Sequence, residues 1–216
     1  MELTKSCGRA KSLILRKGLS PSCLYGLGSA LLWVLAVSFK DAFTRSMYMH
    51  MLVHIPLIVA SGALACQAWS LSGYRLRGCF SSRISALYQT GNQYGLAGLA
   101  AVSFVGVYWM IPKALDLVLL SVWVDLIKFV LLFAAGTLLI DSIERANAVI
   151  KLFFVGNFCW MMAIAGILYQ DDSVRLCNFY LLDDQSIAGK GLVVFAIMLP
   201  ILWLALEAKA VRRFLR

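Results

Sequence analysis

Charged residues are scarce in this chain. Only 14% of its residues are charged, 61% are hydrophobic, and the mean hydropathy is +0.81. A soluble domain carries about a quarter charged residues. The apolar residues occur in runs of roughly twenty, the length of a helix that crosses a ~30 Å hydrocarbon core. The composition excludes a soluble globular domain and predicts an all-α, polytopic membrane helical bundle.

Motifs of common catalytic and metal sites are also missing. The sequence has no glycine-rich phosphate loop, no HExxH pair and no serine nucleophile elbow. Its cysteines show no CxxC spacing, so neither a zinc site nor a redox motif follows from them. We therefore predict that the protein is not an enzyme. The six cysteines are Cys7, Cys23, Cys66, Cys79, Cys159 and Cys177.

The net charge of +9 does not indicate a nucleic-acid partner. The basic residues sit at the ends of apolar runs, as topology signals do. A basic groove with interleaved aromatic residues, which nucleic-acid binding would need, is absent. The charge is instead distributed as a topology signal, and we expect lipid to be the partner of the apolar runs.

The apolar runs predict about six membrane spans. They are Ser22 to Phe39, Met47 to Leu71, Tyr94 to Ile111, Leu115 to Ile140, Ala148 to Tyr169 and Gly189 to Ala208. Around this domain of residues 22–208 lie a basic N-terminal segment, 1–21, and a basic tail, 209–216. The first segment lacks the long apolar core and small-residue cleavage site of a signal peptide, so we expect it to be retained.

Lysines and arginines predict the orientation of the spans. Fourteen of the twenty fall in the two termini and the second and fourth connections, and five fall in the other connections. The positive-inside rule places the first group, and hence both termini, in the cytoplasm. The twentieth, Lys128, lies deep inside a span. The start of the second span is then on the outer side, which would be the periplasmic face of a bacterial inner membrane.

That second span holds the only two histidines of the chain, His50 and His54. With Met47 and Met51 they fall at i, i+3, i+4 and i+7, which forms one stripe on an α-helix. Two imidazoles and two thioethers on one face suit Cu(I) better than hard cations. The alternative is an ordinary apolar face that carries two histidines. Because both share one helix face, a bis-histidine haem within one chain is excluded, and a haem with His and Met ligands has no support.

A charged pair lies within the fourth span. Asp125 and Lys128 are predicted to lie ten to thirteen residues from its outer end, where ionised groups are costly and need partners. Their i, i+3 spacing lets them pair with each other. They form either a structural ion pair or a cation-binding or proton-relay site. Asn157 in the fifth span is a possible partner of the pair or a hydrogen-bonding group between helices.

Two motifs resemble those of the CtaG-type cytochrome c oxidase assembly factors. HMLVH at 50–54 resembles the HMxxH signature of that family, and DQSIAG at 184–189 resembles its D-Q-x-x-A-G stretch. The resemblance implies a role for Asp184 beside the histidines, with Gln185, Ala188 and Gly189 shaping the helix entrance. It also implies copper as the bound metal. Where the family carries further histidines before a run like FVLLFAAG, this chain has Asp125 and Lys128.

These observations favour a copper-handling accessory protein as the first hypothesis. It would hold Cu(I) through His50, His54, Met47, Met51 and Asp184 and deliver it to a haem-copper oxidase or a copper monooxygenase. The alternative is a structural subunit of a larger membrane complex, without a metal of its own. A transporter that uses Asp125 ranks third, because the deep polar groups are too few for a continuous path.

Overall fold

Helices form every regular element in the computed structural model, which describes residues 20–72, 88–171 and 176–214. Side chains of the last helix are described up to residue 205. The N-terminal segment predicted at 1–21 lies almost wholly outside these ranges, as do Cys7, Cys79 and the basic residues of the second connection. The side chains of the predicted tail lie outside them as well.

Eight helices make up most of the described chain, in an order that matches the predicted apolar runs, and residues 88–91 are helical as well. They are α1 (Pro21–Ser38), α2 (Lys40–Phe43), α3 (Met47–Leu71), α4 (Leu96–Trp109), α5 (Pro112–Leu120), α6 (Val122–Arg145), α7 (Ala148–Leu168) and α8 (Leu182–Phe214).

The predicted polytopic bundle is confirmed. The helices α1, α3, α6, α7 and α8 are each long and apolar enough to cross a membrane. The helices α4 and α5 together form a sixth candidate, but they meet at an angle of 73°. Proline at the first position of α5 fits a helix start, since its missing N–H would have no partner there. The third predicted span, Tyr94 to Ile111, therefore corresponds to α4 alone, and the sharply bent α5 follows it.

The predicted start of the fourth span, Leu115, is wrong. Residues 115–120 belong to α5, and α6 begins only at Val122. Between them Ser121 has an extended backbone, with φ −135° and ψ 120°, which interrupts the helix. Hydropathy does not detect such a break because the residues on both sides are apolar. Asp125 consequently lies in the first turn of α6 and not ten residues inside it.

The sixth span begins earlier than predicted. The helix α8 starts at Leu182, seven residues before the expected Gly189, and includes Asp183 and Asp184 in its first turn. Acidic side chains there interact favourably with the unpaired N–H groups and the positive end of the helix dipole. The same two residues lower the local hydropathy, and the apolar pattern alone therefore placed the boundary too late.

Two pairs of glycines let helices touch backbone to backbone. A methyl group on Gly62 of α3 would collide with the Phe133 carbonyl of α6, and one on Gly136 of α6 would collide with the Val59 carbonyl of α3. On the other side of the bundle, Gly166 of α7 and Gly189 of α8 lie against each other's carbonyl groups in the same way. Small residues at such crossings are typical of membrane helix packing.

The packing creates two ends that differ in chemistry. The C-terminus of α1 and the N-termini of α3, α6 and α8 meet at what we call the histidine end, because His50 and His54 lie there. The C-terminus of α6 meets the start of α4 at what we call the arginine end, which contains Arg145. The charge distribution predicts that the histidine end is the outer one.

Candidate functional site

The two histidines lie on a π-helical turn, His50–His54, near the start of α3. The N–H of Ile55 bonds to the His50 carbonyl, five residues back instead of four. Pro56 follows directly, and a proline cannot donate to the carbonyl four residues before it. We attribute the widened turn to this missing donor. Single π-helical turns often occur at functional sites.

Both imidazoles are fully buried and close together. Neither His50 nor His54 has any accessible surface, and their ring centroids are 5.5 Å apart with the planes tilted by 41°. The prediction that the two rings share one side of the helix is thus met by the geometry. The contacts of the individual nitrogens then decide what the pair can do.

Both ring nitrogens of His50 have partners. The ammonium Nζ of Lys128 lies 3.2 Å from Nε2, and an ammonium can only donate, so Nε2 accepts. The Nδ1 atom therefore carries the proton and donates to the Tyr180 hydroxyl at 3.0 Å. Tyr180 in turn donates to the Thr44 carbonyl at 3.1 Å. These directions are mutually consistent and fix one tautomer of His50.

The Lys128 ammonium connects His50 to a carboxylate. Its Nζ lies 2.8 Å from Oδ1 of Asp125, which confirms the predicted i, i+3 pair. Lys40, which the sequence did not indicate, lies 2.9 Å from Oδ2 of the same carboxylate. Lys40, Asp125, Lys128, His50 and Tyr180 thus form a continuous series of three hydrogen bonds and one ion pair, here called the polar chain. It joins four separate segments of sequence at the histidine end.

The ends of the polar chain differ in their surroundings. The Lys40 side chain is 41% exposed, whereas Lys128 is completely buried. The hydrogen bond and the negative charge of Asp125 hold the pKa of the Lys40 ammonium above its usual value. At the other end, burial raises the pKa of the Tyr180 phenol. Both terminal groups thus stay protonated at neutral pH.

His54 is held differently. Its Nε2 lies 3.1 Å from the Ala36 carbonyl, so Nε2 carries the proton and Nδ1 carries a lone pair. The rings of Phe43 and Phe129 pack against the imidazole at 5.6 and 5.4 Å. Within the described part of the chain, the buried Nδ1 has no hydrogen-bond partner. It is the one histidine nitrogen that presents a free lone pair.

The other predicted copper ligands do not join the imidazoles. Met47 and Met51 are buried in an apolar cluster with residues of α7 and α8, and the Met47 thioether lies 3.8 Å from the Cys177 thiol. Asp184 is half-buried on the first turn of α8, and no hydrogen bond or ion pair within the described ranges joins it to a histidine. Among the residues described, no three His, Cys, Asp or Glu side chains gather as a metal site would require. In this arrangement the described residues do not form a metal site of three such ligands.

The rest of the DQSIAG motif has a structural role. The Gln185 side chain accepts from the Leu176 N–H at 3.0 Å and donates to the Tyr169 carbonyl at 3.3 Å. Ala188 is fully buried, and Gly189 makes the backbone contact with α7. This agrees with the expectation that the three residues shape the entrance of the last helix. They hold the segment that carries Tyr180 against the bundle.

Asn157 is not part of the polar chain. It lies on the exposed side of α7, while Asp125 is bonded to the two lysines. Lys40 and Tyr180 could not be predicted as members, since both lie outside the predicted spans and far from Asp125 and His50 along the chain. Only the tertiary structure brings Lys40 to Asp125 and Tyr180 to His50.

Comparison with protein-family models, with curated proteins and with solved structures finds no match to this chain. The resemblance to the CtaG-type family therefore rests on the HMLVH and DQSIAG motifs, and it stays a prediction. The fold and the site define a multi-pass membrane bundle of helices with a buried polar chain at one end.

Proposed function

We propose that this protein is a non-catalytic structural subunit of a membrane complex, in which the polar chain locks the histidine end without a metal ion. The observation that carries the proposal is the pairing of both His50 nitrogens, with Lys128 on one side and Tyr180 on the other. An imidazole used in this way has no lone pair left to offer.

The Lys128 ammonium occupies the position that a bound cation would take. Its ammonium lies between the Asp125 carboxylate and the His50 lone pair, at 2.8 and 3.2 Å, and Phe129 presents its ring 5.0 Å away. With Lys40 there are two positive charges on one carboxylate, and a further cation would be repelled. A tethered ammonium of this kind supplies the positive charge permanently and ties α6 to α3.

Metal analysis combined with thermal unfolding tests this proposal. Protein purified without a histidine tag, and incubated with Cu(I), is expected to carry no more copper than the variant with both His50 and His54 replaced by Ala. The same double variant is expected to unfold at a lower temperature. Thr137→Ala serves as the control, because the hydroxyl of this half-buried residue bonds only to the Ala134 carbonyl of its own helix. About one copper per chain in the wild type, lost in the double variant, would contradict the proposal.

A second candidate is copper handling at the periplasmic face of a bacterial inner membrane, with delivery to a haem-copper oxidase or copper monooxygenase. The unpaired Nδ1 of His54, 5.5 Å from the His50 ring, favours it. If this function is correct, His54→Ala abolishes copper binding, while Tyr180→Phe, which removes the partner of the His50 Nδ1, strengthens it. Copper(I) titration against a competing chelator measures both effects.

A further inference from the structure

One polar side chain faces away from the bundle in the middle of a span. Asn157 is the tenth of the 21 residues of α7 and is exposed. Its neighbours on this face are apolar and equally outward, with Phe153 64% and Trp160 67% exposed. Within the described ranges, its amide makes no hydrogen bond. A helix of this length has its middle residues at the centre of the hydrocarbon core, where no water can satisfy an amide.

The helix surface beside Asn157 is open. Gly156 is exposed, and a methyl group added to it would meet no atom within 4 Å. The other glycine of α7, Gly166, is in close contact with α8. Gly156 thus leaves a shallow notch on the exposed face, bounded by Phe153 and Trp160. A small residue next to a hydrogen-bonding one is the combination that membrane helices use to approach each other.

We propose that this face of α7, comprising Phe153, Gly156, Asn157 and Trp160, is the contact surface for a second copy of the same chain. The amide group is self-complementary, since its carbonyl accepts and its NH₂ donates, so two Asn157 side chains related by a two-fold axis satisfy each other. A single buried Asn fixes register and oligomeric state in coiled coils by the same pairing. The glycine notch lets the two helices come close enough for that bond.

Neighbouring charges do not oppose this contact. Lys151, the nearest charged residue on α7, lies six positions away, between one and two turns towards the helix start. Exposed aromatic rings flank the notch, and such rings contribute large apolar contacts to interfaces. The inference does not depend on the role of the histidine end, because α7 contributes none of the five members of the polar chain.

Energy transfer between donor-labelled and acceptor-labelled copies of the full chain in phosphatidylcholine vesicles tests the proposal. The wild type is expected to dimerise with an efficiency that depends on the protein-to-lipid ratio. Asn157→Leu is expected to weaken dimerisation about tenfold, as expected for two interhelical hydrogen bonds. Gly156→Leu is expected to weaken it at least as much, because the side chain fills the notch while the fold has room for it.

Two further variants complete the test. Gly91→Leu is the matched control, since a methyl group at Gly91 also meets nothing within 4 Å but Gly91 is not part of α7. It should dimerise like the wild type. Asn157→Gln, which keeps the amide, should retain most of the dimer. Circular dichroism confirms that each variant remains helical. Monomeric wild-type protein at every lipid ratio, or a dimer unchanged in both Asn157→Leu and Gly156→Leu, would overturn the proposal.

Discussion

The helix α6 carries a polar cluster at each end, and the two clusters are built in different ways. At the arginine end, Asp141 accepts two bonds from Arg145, at 2.9 and 3.0 Å, and one from Tyr88 at 2.5 Å. Nearby, Asn92 donates to the Ser142 hydroxyl at 3.0 Å and accepts from the Gly98 N–H at 2.9 Å. Here one carboxylate, that of Asp141, pairs with one guanidinium, that of Arg145.

At the histidine end positive charges outnumber the carboxylate they share, and the charged groups are more deeply buried. Two ammonium groups share the Asp125 carboxylate, and the second, Lys128, has no accessible surface. At the arginine end the Arg145 side chain is 31% exposed and water can replace a lost partner. An ion pair that water can reach contributes little, whereas breaking a buried pair leaves an uncompensated charge. The same kinds of residue should therefore matter far more at the histidine end.

The largest effect is expected from Asp125→Ala, because it leaves the buried Lys128 ammonium without a counter-charge. The loss should be about 3–5 kcal/mol of unfolding free energy, measured by denaturation in detergent micelles. Replacing both partners, with Asp125→Leu and Lys128→Met together, should cost clearly less than the single change. An Asp125→Ala protein as stable as the wild type would show that the ammonium is not buried as described.

Next in size is His50→Phe, which removes the acceptor of Lys128 and the donor to Tyr180 together. We expect a loss of about 2–3 kcal/mol of unfolding free energy, since the buried Lys128 ammonium and the Tyr180 hydroxyl each lose a hydrogen-bond partner. The matched change His54→Phe removes only the bond to the Ala36 carbonyl and should cost about 1 kcal/mol. Equal losses for the two histidines would contradict the polar chain.

At the arginine end, Asp141→Ala should cost only about 1 kcal/mol, because its partners are partly exposed. It should also change the titration of Tyr88. Burial and the bond to Asp141 raise the pKa of this phenol to about 12. A raised phenol pKa means that the folded state favours the neutral form, so this stabilisation is complete below pH 10 and is lost between pH 10 and 12. Ultraviolet titration of the variant should show a lower Tyr88 pKa, and an unchanged value would rule out the bond.

The smallest effect is expected from Lys40→Met. The exposed ammonium is screened by water, so its loss should cost less than 1 kcal/mol. Since the Lys40 pKa is raised in the folded protein, its contribution is present below the usual pKa of 10.5 and is lost as the pH rises above it. The stability difference between variant and wild type should therefore shrink above pH 10.5 and in high salt. A loss as large as that of Asp125→Ala would mean that Lys40 is the main partner of Asp125.

Different parts of this structure were predictable to different degrees. The predicted ends of the spans at α1, α3 and α7 differ from the observed helix ends by at most one residue, because each span is one apolar run with a clear boundary. The pair of Asp125 and Lys128 followed from its i, i+3 spacing. The break at Ser121 and the π-helical turn before Pro56 were not predicted, since both concern backbone conformation within an apolar run.

The candidate site was predicted less well than the fold. The stripe of Met47, His50, Met51 and His54 brought the two imidazoles together, but the fold directs the methionines into the apolar cluster. The sequence could not show that Lys128 points at His50, because the helices that carry them pack side by side only in the folded bundle. Helical periodicity reports which residues share a face, and it does not report which face of another helix they meet.

The sequence by itself determined that this is a helical membrane protein with a paired charge in one span, because hydropathy and i, i+3 spacing act over one helix at a time. Tertiary structure alone decided the partners of that pair: His50 lies 78 residues from Lys128, Lys40 lies 85 from Asp125, and Tyr180 lies 130 from His50. Contacts over such separations depend on how helices cross, and in this chain the crossings are set by backbone contacts at Gly62, Gly136, Gly166 and Gly189.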